Sequence, residues 1–350
     1  MPRLIALIPA HNEQDGIEHT VASLKDQTVA VDRVIVMADN CTDATVERAR
    51  AAGAEVLETI ANSAKKAGAL NQGLRAHLPD LQDSDFVICM DADGYLATDF
   101  VENALHLFSS RSDLGGLSGA IVARETSNFV ETAQAIEYAR GTRQMARTRG
   151  KVHVLSGACT IFPVHTLRRI AAARGTDLPG EPGTWFMEDS LTEDYELTLA
   201  IKKLGYACTS TSRCKVVTDV MPTFSMLSTQ RMRWYRGALE SLWLYGWSKL
   251  THRMWFGVGF TFFASVLFPA AVIVLVASYL AWGSTPSWYL AFLFPLFLME
   301  SVVVARRVGR RASFIAYSFV PLWIYDNVLF VLYWRAPVKA GRSEKRVWLT

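Results

Sequence analysis

The sequence lacks the marks of several common classes. Its five cysteines, Cys41, Cys89, Cys159, Cys208 and Cys214, are odd in number and show no C-x-x-C spacing. That argues against a zinc site or a disulfide framework and fits a reducing compartment. No G-x-G-x-x-G follows the first apolar run, so a dinucleotide cofactor is not indicated. The opening MPRLIALIPAHNE is not a signal peptide, because Pro9, His11, Asn12 and Glu13 interrupt its apolar stretch at once. Net charge is +3, too small to set partners, and nucleic acid is not among those expected. Apolar residues are plentiful instead, at 51% of 350 residues. The excess is concentrated in three runs between 255 and 334, while residues 1–230 read as ordinary globular sequence.

The first half alternates short apolar strands with helical stretches. LIALI, RVIVM, EVLE and FVICM are separated by helix-like segments and by polar breaks such as PAHNEQDG. This rhythm predicts an α/β fold with a mostly parallel sheet and helices on both faces. Ligands of such sheets bind beyond the carboxyl ends of the strands. His11, Asn12, Glu13, Asp39, Asp91 and Asp93 all fall just past strand ends.

Asp91 and Asp93, spaced D-x-D, can turn toward one point, and hard oxygen ligands suit Mg²⁺ or Mn²⁺ bound to substrate phosphates. A plain strand-end turn is the competing reading. Asp39 can hydrogen-bond a nucleobase or ribose, or cap a helix. Lys66 can reach a phosphate, or be a solvated lysine. TEDYELTLAIKKLG predicts a helix capped by Thr192, with Glu193 and Asp194 in its first turn. The helix dipole keeps such carboxylates ionised, and an ionised carboxylate at a cleft can serve as a general base. A capping box without catalytic duty is the alternative. In QRMRWYRG an arginine among Arg231, Arg233 and Arg236 can grip a diphosphate bidentately, and Trp234 can floor a sugar ring. The same residues also read as a basic, aromatic helix at a membrane surface, continued by Trp243, Trp247, Lys249 and Arg253.

Taken in order, PAHNE, ADNCTD, KKAGALN, DAD, LSGAC, TED and QRMRW resemble the membrane-bound inverting glycosyltransferases of family 2, such as cellulose, hyaluronan and poly-N-acetylglucosamine synthases. The resemblance runs from about residue 3 to 237. It implies a GT-A catalytic domain and a nucleotide-sugar donor, usually a UDP-sugar, with a carbohydrate or lipid-linked acceptor. It implies that Asp39 binds uracil or ribose beside His11, Asn12 and Glu13, that Lys66 lies near the phosphates, and that Asp91 helps hold the diphosphate. Asp93, with Asp91, would hold Mg²⁺ or Mn²⁺. Asp194, next to Glu193, would be the base. Gln230, Arg233 and Trp234 would line the diphosphate and acceptor channel, with Gly157 in a loop bordering the acceptor. It also leaves room for a homo-oligomer or accessory subunits. ADNC stands where DDGS is usual, and the helices that usually precede the catalytic domain of polymer synthases are not seen.

The expected organisation is a GT-A domain over 1–230, an amphipathic interfacial segment over 231–254, and an α-helical membrane region over 255–350. Candidate spans are 255–282, 288–305 and 312–334, each long enough to cross a core of about 30 Å. RRVGRR places its loop, and the catalytic domain, on the cytoplasmic side of a bacterial-type inner or plasma membrane. The basic tail also belongs inside, which three crossings would not allow; Pro321, Asp326 and Asn327 leave a re-entrant third segment as the alternative. Function is expected to be extension of a polysaccharide. The alternatives are single-sugar transfer to a lipid or other membrane acceptor, and an inactive sugar-nucleotide-binding scaffold.

Overall fold

A computed structural model describes residues 2–148, 150–283, 288–318 and 320–341. The chain forms two compact units, Met1–Glu125 with Gly141–Val220, and Thr126–Arg140 with Met221–Thr350.

The first unit runs β1 (Leu4–Ala10), α1 (Ile17–Lys25), β2 (Arg33–Ala38), α2 (Thr45–Ala51), β3 (Glu55–Glu58) and α3 (Lys65–His77). It continues through β4 (Phe86–Met90), β5 (Tyr95–Leu96), α4 (Phe100–Ser110) and β6 (Leu114–Ala123). α5 (Phe129–Arg147) is divided between the units at Arg140, and β7 (Cys159–Pro163), α6 (Val164–Ala173), α7 (Glu193–Lys203) and β8 (Ala207–Thr218) complete the first.

All eight strands form one sheet in the order β3-β2-β1-β4-β7-β6-β8-β5. β1 is buried almost throughout, as its unbroken apolar run requires of a central strand, and pairs in parallel with β2 and β4. The parallel expectation holds for β1 to β4. Beyond them the sheet is mixed, because β7 runs antiparallel to both β4 and β6. Ile8, Val36, Ile88 and Ile161 of neighbouring strands meet Ile17, Val21 and Phe100 in one fully buried cluster.

The second unit is helical: α8 (Phe224–Tyr245), α9 (His252–Trp282), α10 (Trp288–Val308), α11 (Arg310–Ser318) and α12 (Val320–Gly341). Its core joins Ala133 and Ile136 of α5 to Leu227, Val304, Ala305 and Tyr325. α8 runs unbroken through 230, so the first unit ends ten residues before the expected boundary, at Val220. Among the described residues no single helix is long and apolar enough to cross a membrane. The expected third span is two helices: α11 and the Val320–Val338 part of α12 meet that requirement together, bent by 82°. The GSTPS connection from Ser284 and the basic tail from 342 lie outside the described residues.

Candidate active site

The loops leaving β1, β2 and β3 and the first residue of α3 supply four non-glycine residues in the left-handed region: Asn12 (φ 56°), Asn40 (φ 51°), Ala61 (φ 48°) and Lys65 (φ 52°). Such backbone is strained for a residue with a Cβ and persists where surrounding bonds over-determine it, commonly at functional sites. The bonds are present. Asn12 Oδ1 accepts from the Thr42 amide at 2.8 Å. Gln72 grips the Ile60 backbone at both its N–H (2.9 Å) and its carbonyl (3.0 Å). Asp39 is buried, and its Oδ1 accepts from Thr59 Oγ1 at 2.7 Å and Asn40 Nδ2 at 3.0 Å. His11 Nδ1 lies 2.6 Å from the Asp39 carbonyl. His11, Asn12 and Asp39 are therefore one connected, rigid edge.

Lys66, in the first turn of α3, is the hub of a cluster of charged groups. Its Nζ lies 2.5 Å from Asp91 Oδ1 and 3.4 Å from Glu193 Oε1, and donates to the Gly157 carbonyl at 3.0 Å. Burial works against its charge, but the Asp91 and Glu193 carboxylates outweigh it and hold the ammonium above its usual pKa. Lys66 is thus a permanent cation rather than a solvated lysine.

Asp194 faces the same small cavity, about 20 Å³, as Lys66, Gly157 and Glu193. Its Oδ2 accepts from the Gly157 amide at 3.0 Å and its Oδ1 from the Tyr195 amide at 2.7 Å. Burial, then the neighbouring Glu193 charge, pushes its carboxyl up to about 6, against Lys66 and the two amide bonds. A carboxyl at about 6 is raised from its ordinary range but stays mostly ionised at neutral pH, as expected of the first helical turn. The expected cap is absent: Thr192 precedes α7, but its hydroxyl makes no capping bond and is buried without a partner among the described residues. The third carboxylate of TEDYEL turns the other way. Glu196 meets Arg174 at 2.6 and 2.8 Å with both side chains fully buried.

Gly157 lies between Asp194 and Lys66. A Cβ there would stand 2.9 Å from Lys66 Nζ and 3.3 Å from Asp194 Oδ2. Lys66 can swing away at little cost in stability, but only by leaving its partners. Gly157→Ala should therefore keep its thermal midpoint while turnover falls about tenfold or more, as small misplacements in active sites do. Unchanged turnover with normal folding would show that this spacing is not critical.

Asp93 supplies the last group. Its Oδ1 is buried with no hydrogen-bond partner among the described residues. Burial, then the charges of Asp91 and Asp219, raises its carboxyl to about 6; burial, then Asp93 and Asp91, raises Glu13 to about 7. Crowded, desolvated carboxylates with an orphan oxygen fit a hard cation that neutralises them. Among the described residues no group of three His, Cys, Asp or Glu side chains is placed to hold an ion. Sequence reasoning missed Arg124 and Asp219. Arg124 donates to the Asp93 carbonyl at 2.9 Å and pairs with Asp219 at 2.9 Å. No spacing signals this, since it follows from β6 pairing with β8.

Gln230, Arg233 and Trp234 lie on α8, in the second unit. Arg231 and Arg236 each pair with a carboxylate. Arg231 is buried, 2.9 Å from Glu137 Oε2, donates to Gln230 Oε1 at 3.0 Å and stacks 4.2 Å over the Trp234 ring. Arg236 meets Glu240 at 2.6 Å.

The chain is similar to several known proteins. The chain is 26% identical over 242 residues to poly-beta-1,6-N-acetyl-D-glucosamine synthase of Staphylococcus aureus (strain MSSA476), covering 67% of this chain and 54% of that protein. It is 24% identical over 251 residues to the enzyme of the same name from Staphylococcus epidermidis, covering 70% and 56%. The chain thus spans about half the length of the curated relatives it matches. In structure it is similar to a mannosyltransferase from Pyrobaculum calidifontis solved with GDP-Man and Mn²⁺, with a TM-score of 0.62 and 18% identity over 98% of this chain and 88% of that one. This is a likeness of fold, the GT-A type. The sequence model of glycosyl transferase family group 2 matches residues 86–304, more than half of the chain, from β4 through the TED and QRMRW motifs. The protein is a member of glycosyl transferase family group 2.

Proposed function

We propose that the protein transfers a sugar from a nucleotide-sugar donor, a UDP-hexose or UDP-N-acetylhexosamine, to an acceptor hydroxyl at a membrane, with inversion. The observation that carries this reading is the Asp194 carboxylate held by the Gly157 amide in one cavity with the Lys66 cation. Asp194 takes the acceptor proton as the acceptor oxygen attacks the anomeric carbon. The bond from that carbon to the diphosphate breaks with its electron pair leaving on oxygen, so one displacement turns an α-linked donor into a β-linked product. Lys66, fixed near Asp91, supports the charge growing on the diphosphate, and the family resemblance implies a share in that task for Arg233. Asp39 and the His11–Glu13 edge hold the nucleoside. Asp93, with Asp91, would hold Mg²⁺ or Mn²⁺, which when bound supplies Lewis-acid neutralisation of diphosphate oxygens.

Extension of a polysaccharide is the leading version, supported by the poly-N-acetylglucosamine synthases to which the chain is similar. Single transfer to a lipid or other membrane acceptor is the second. A bilayer setting is supported by the exposed Trp243, Trp247, Phe256 and Phe260 beside Lys249 and Arg253, as at an interface, and RRVGRR favours a cytoplasmic catalytic face. The test is purified protein incubated with a panel of UDP-sugars, with Mg²⁺, Mn²⁺ or EDTA, scoring UDP release and product size. We expect metal-dependent release with one or two donors. Titration with Mn²⁺ plus UDP should show ion binding that Asp93→Ala abolishes. No release with any donor would leave the binding-scaffold alternative, and full activity in EDTA with intact Asp93→Ala turnover would remove the metal.

A further inference from the structure

Asn71 lies in the middle of α3, five residues after Lys66, and is fully buried. Asparagine is a poor helix former, and a buried amide costs stability unless its donors and acceptor are met. Here all are met, by one short stretch of loop. Asn71 Oδ1 accepts from the Trp185 amide at 3.2 Å and the Phe186 amide at 3.0 Å. Its Nδ2 donates to the Phe186 carbonyl at 2.9 Å and to Glu188 Oε1 at 3.1 Å. The remaining backbone group of the dipeptide, the Trp185 carbonyl, accepts from Arg174 at 2.6 Å. Trp185 and Phe186 belong to no strand or helix, so side chains fix their buried backbone.

What this dipeptide touches gives the clamp its consequence. Phe186 lines the small cavity shared by Lys66, Gly157, Glu193 and Asp194, and so does Leu70, next to Asn71 in α3. From Phe186 the chain runs only eight residues to Asp194. One side chain therefore ties the helix that carries Lys66 to the loop that leads to Asp194. Apolar packing alone would press the loop onto the helix without fixing its register. Four directional hydrogen bonds hold it in one place, as fully satisfied buried networks do.

We infer that Asn71 is a positioning residue for sugar transfer: by fixing the Phe186 backbone it closes the cavity wall and holds Asp194 in its place beside Lys66. The role rests on the transfer reading above, with Asp194 as the base. Donor binding is assigned to Asp39, Lys66 and Asp91, none of which Asn71 bonds, so losing the clamp acts on turnover rather than on donor affinity.

The test compares wild type, Asn71→Ala and Asp194→Asn as purified full chains at equal folded fraction. In Asn71→Ala, amide hydrogen exchange over 184–188 should quicken about tenfold or more, because Trp185 and Phe186 lose their acceptor. Turnover should fall about tenfold or more with donor KM unchanged, as small displacements in active sites do. The charged groups facing Asp194, Glu193 beside it and Lys66 of α3, remain in the variant. A loosened wall admits water, so the midpoint of the turnover–pH profile should drop from about 6 toward the ordinary carboxylate value of about 3.9. Should Asn71→Ala not fold, Phe186→Leu, which keeps the clamp and shortens the ring, should lower both turnover and that midpoint. Unchanged turnover and midpoint, in whichever of the two variants folds, would make the clamp structural only and overturn the role. A raised donor KM at unchanged turnover would overturn it as well, by placing the effect of Asn71 on the donor. The transfer reading fails separately: wild type that transfers from no donor, or near-normal turnover in Asp194→Asn, overturns that reading or its base and the positioning role with it, while the exchange rates still report whether Asn71 holds the loop.

Discussion

Asp194→Asn should lower turnover by roughly two to four orders of magnitude, the usual worth of a positioned base, while UDP-sugar affinity holds. The substitution keeps size but cannot take a proton. Donor binding is assigned to Asp39, Lys66, Asp91 and the arginine of α8, none of which it alters. The pH profile makes the assignment sharper. A base acts only when unprotonated, and burial raises the Asp194 carboxyl to about 6. Wild-type turnover should therefore climb as pH rises through about 6 and level off above it. A carboxylate at its ordinary value of about 3.9 would give a flat profile over that window. The climb should be absent from the residual activity of Asp194→Asn. Near-normal turnover in the variant, measured on preparations of equal folded fraction, would place the base elsewhere.

Glu196→Ala, three residues from Glu193, should do the opposite: cost stability and leave turnover per folded molecule nearly intact. The Arg174–Glu196 pair is fully buried, and Arg174 also donates to the Pro179 carbonyl at 2.7 Å and the Trp185 carbonyl at 2.6 Å. Removing the carboxylate strands a guanidinium charge in the core, at about 3–5 kcal/mol, a large share of the roughly 5–15 kcal/mol that holds a domain folded. Replacing both partners together, Arg174→Met with Glu196→Leu, should recover most of the loss, because apolar groups of similar volume need no counter-charge. Denaturant midpoints of the three proteins measure this. A Glu196→Ala midpoint equal to wild type would mean that the pair contributes nothing.

TEDYEL shows where sequence reading stops. Its helix, and the acidic first turn, follow from local pattern, and α7 begins at Glu193 as expected. Which carboxylate faces the site and which the core depends on what packs against each side. Arg174 lies 22 residues away, with nothing in the spacing to announce it. The same holds for QRMRW: the motif is plain, but only Glu137, 94 residues earlier, reveals that Arg231 is a buried anchor.

The sequence by itself determined the strand–helix alternation, the placing of His11, Asn12, Glu13, Asp39, Asp91 and Asp93 at strand ends, and the family. Those are local properties: the period of apolar residues and the short loops that must follow buried strands. Tertiary structure alone decided the antiparallel β7, the Arg124–Asp219 support behind Asp93, the inward turn of Glu196 and the raised carboxyl of Asp194. Each of these depends on burial or on a partner far along the chain. Desolvation and charge act through distances in space, which residue spacing does not encode.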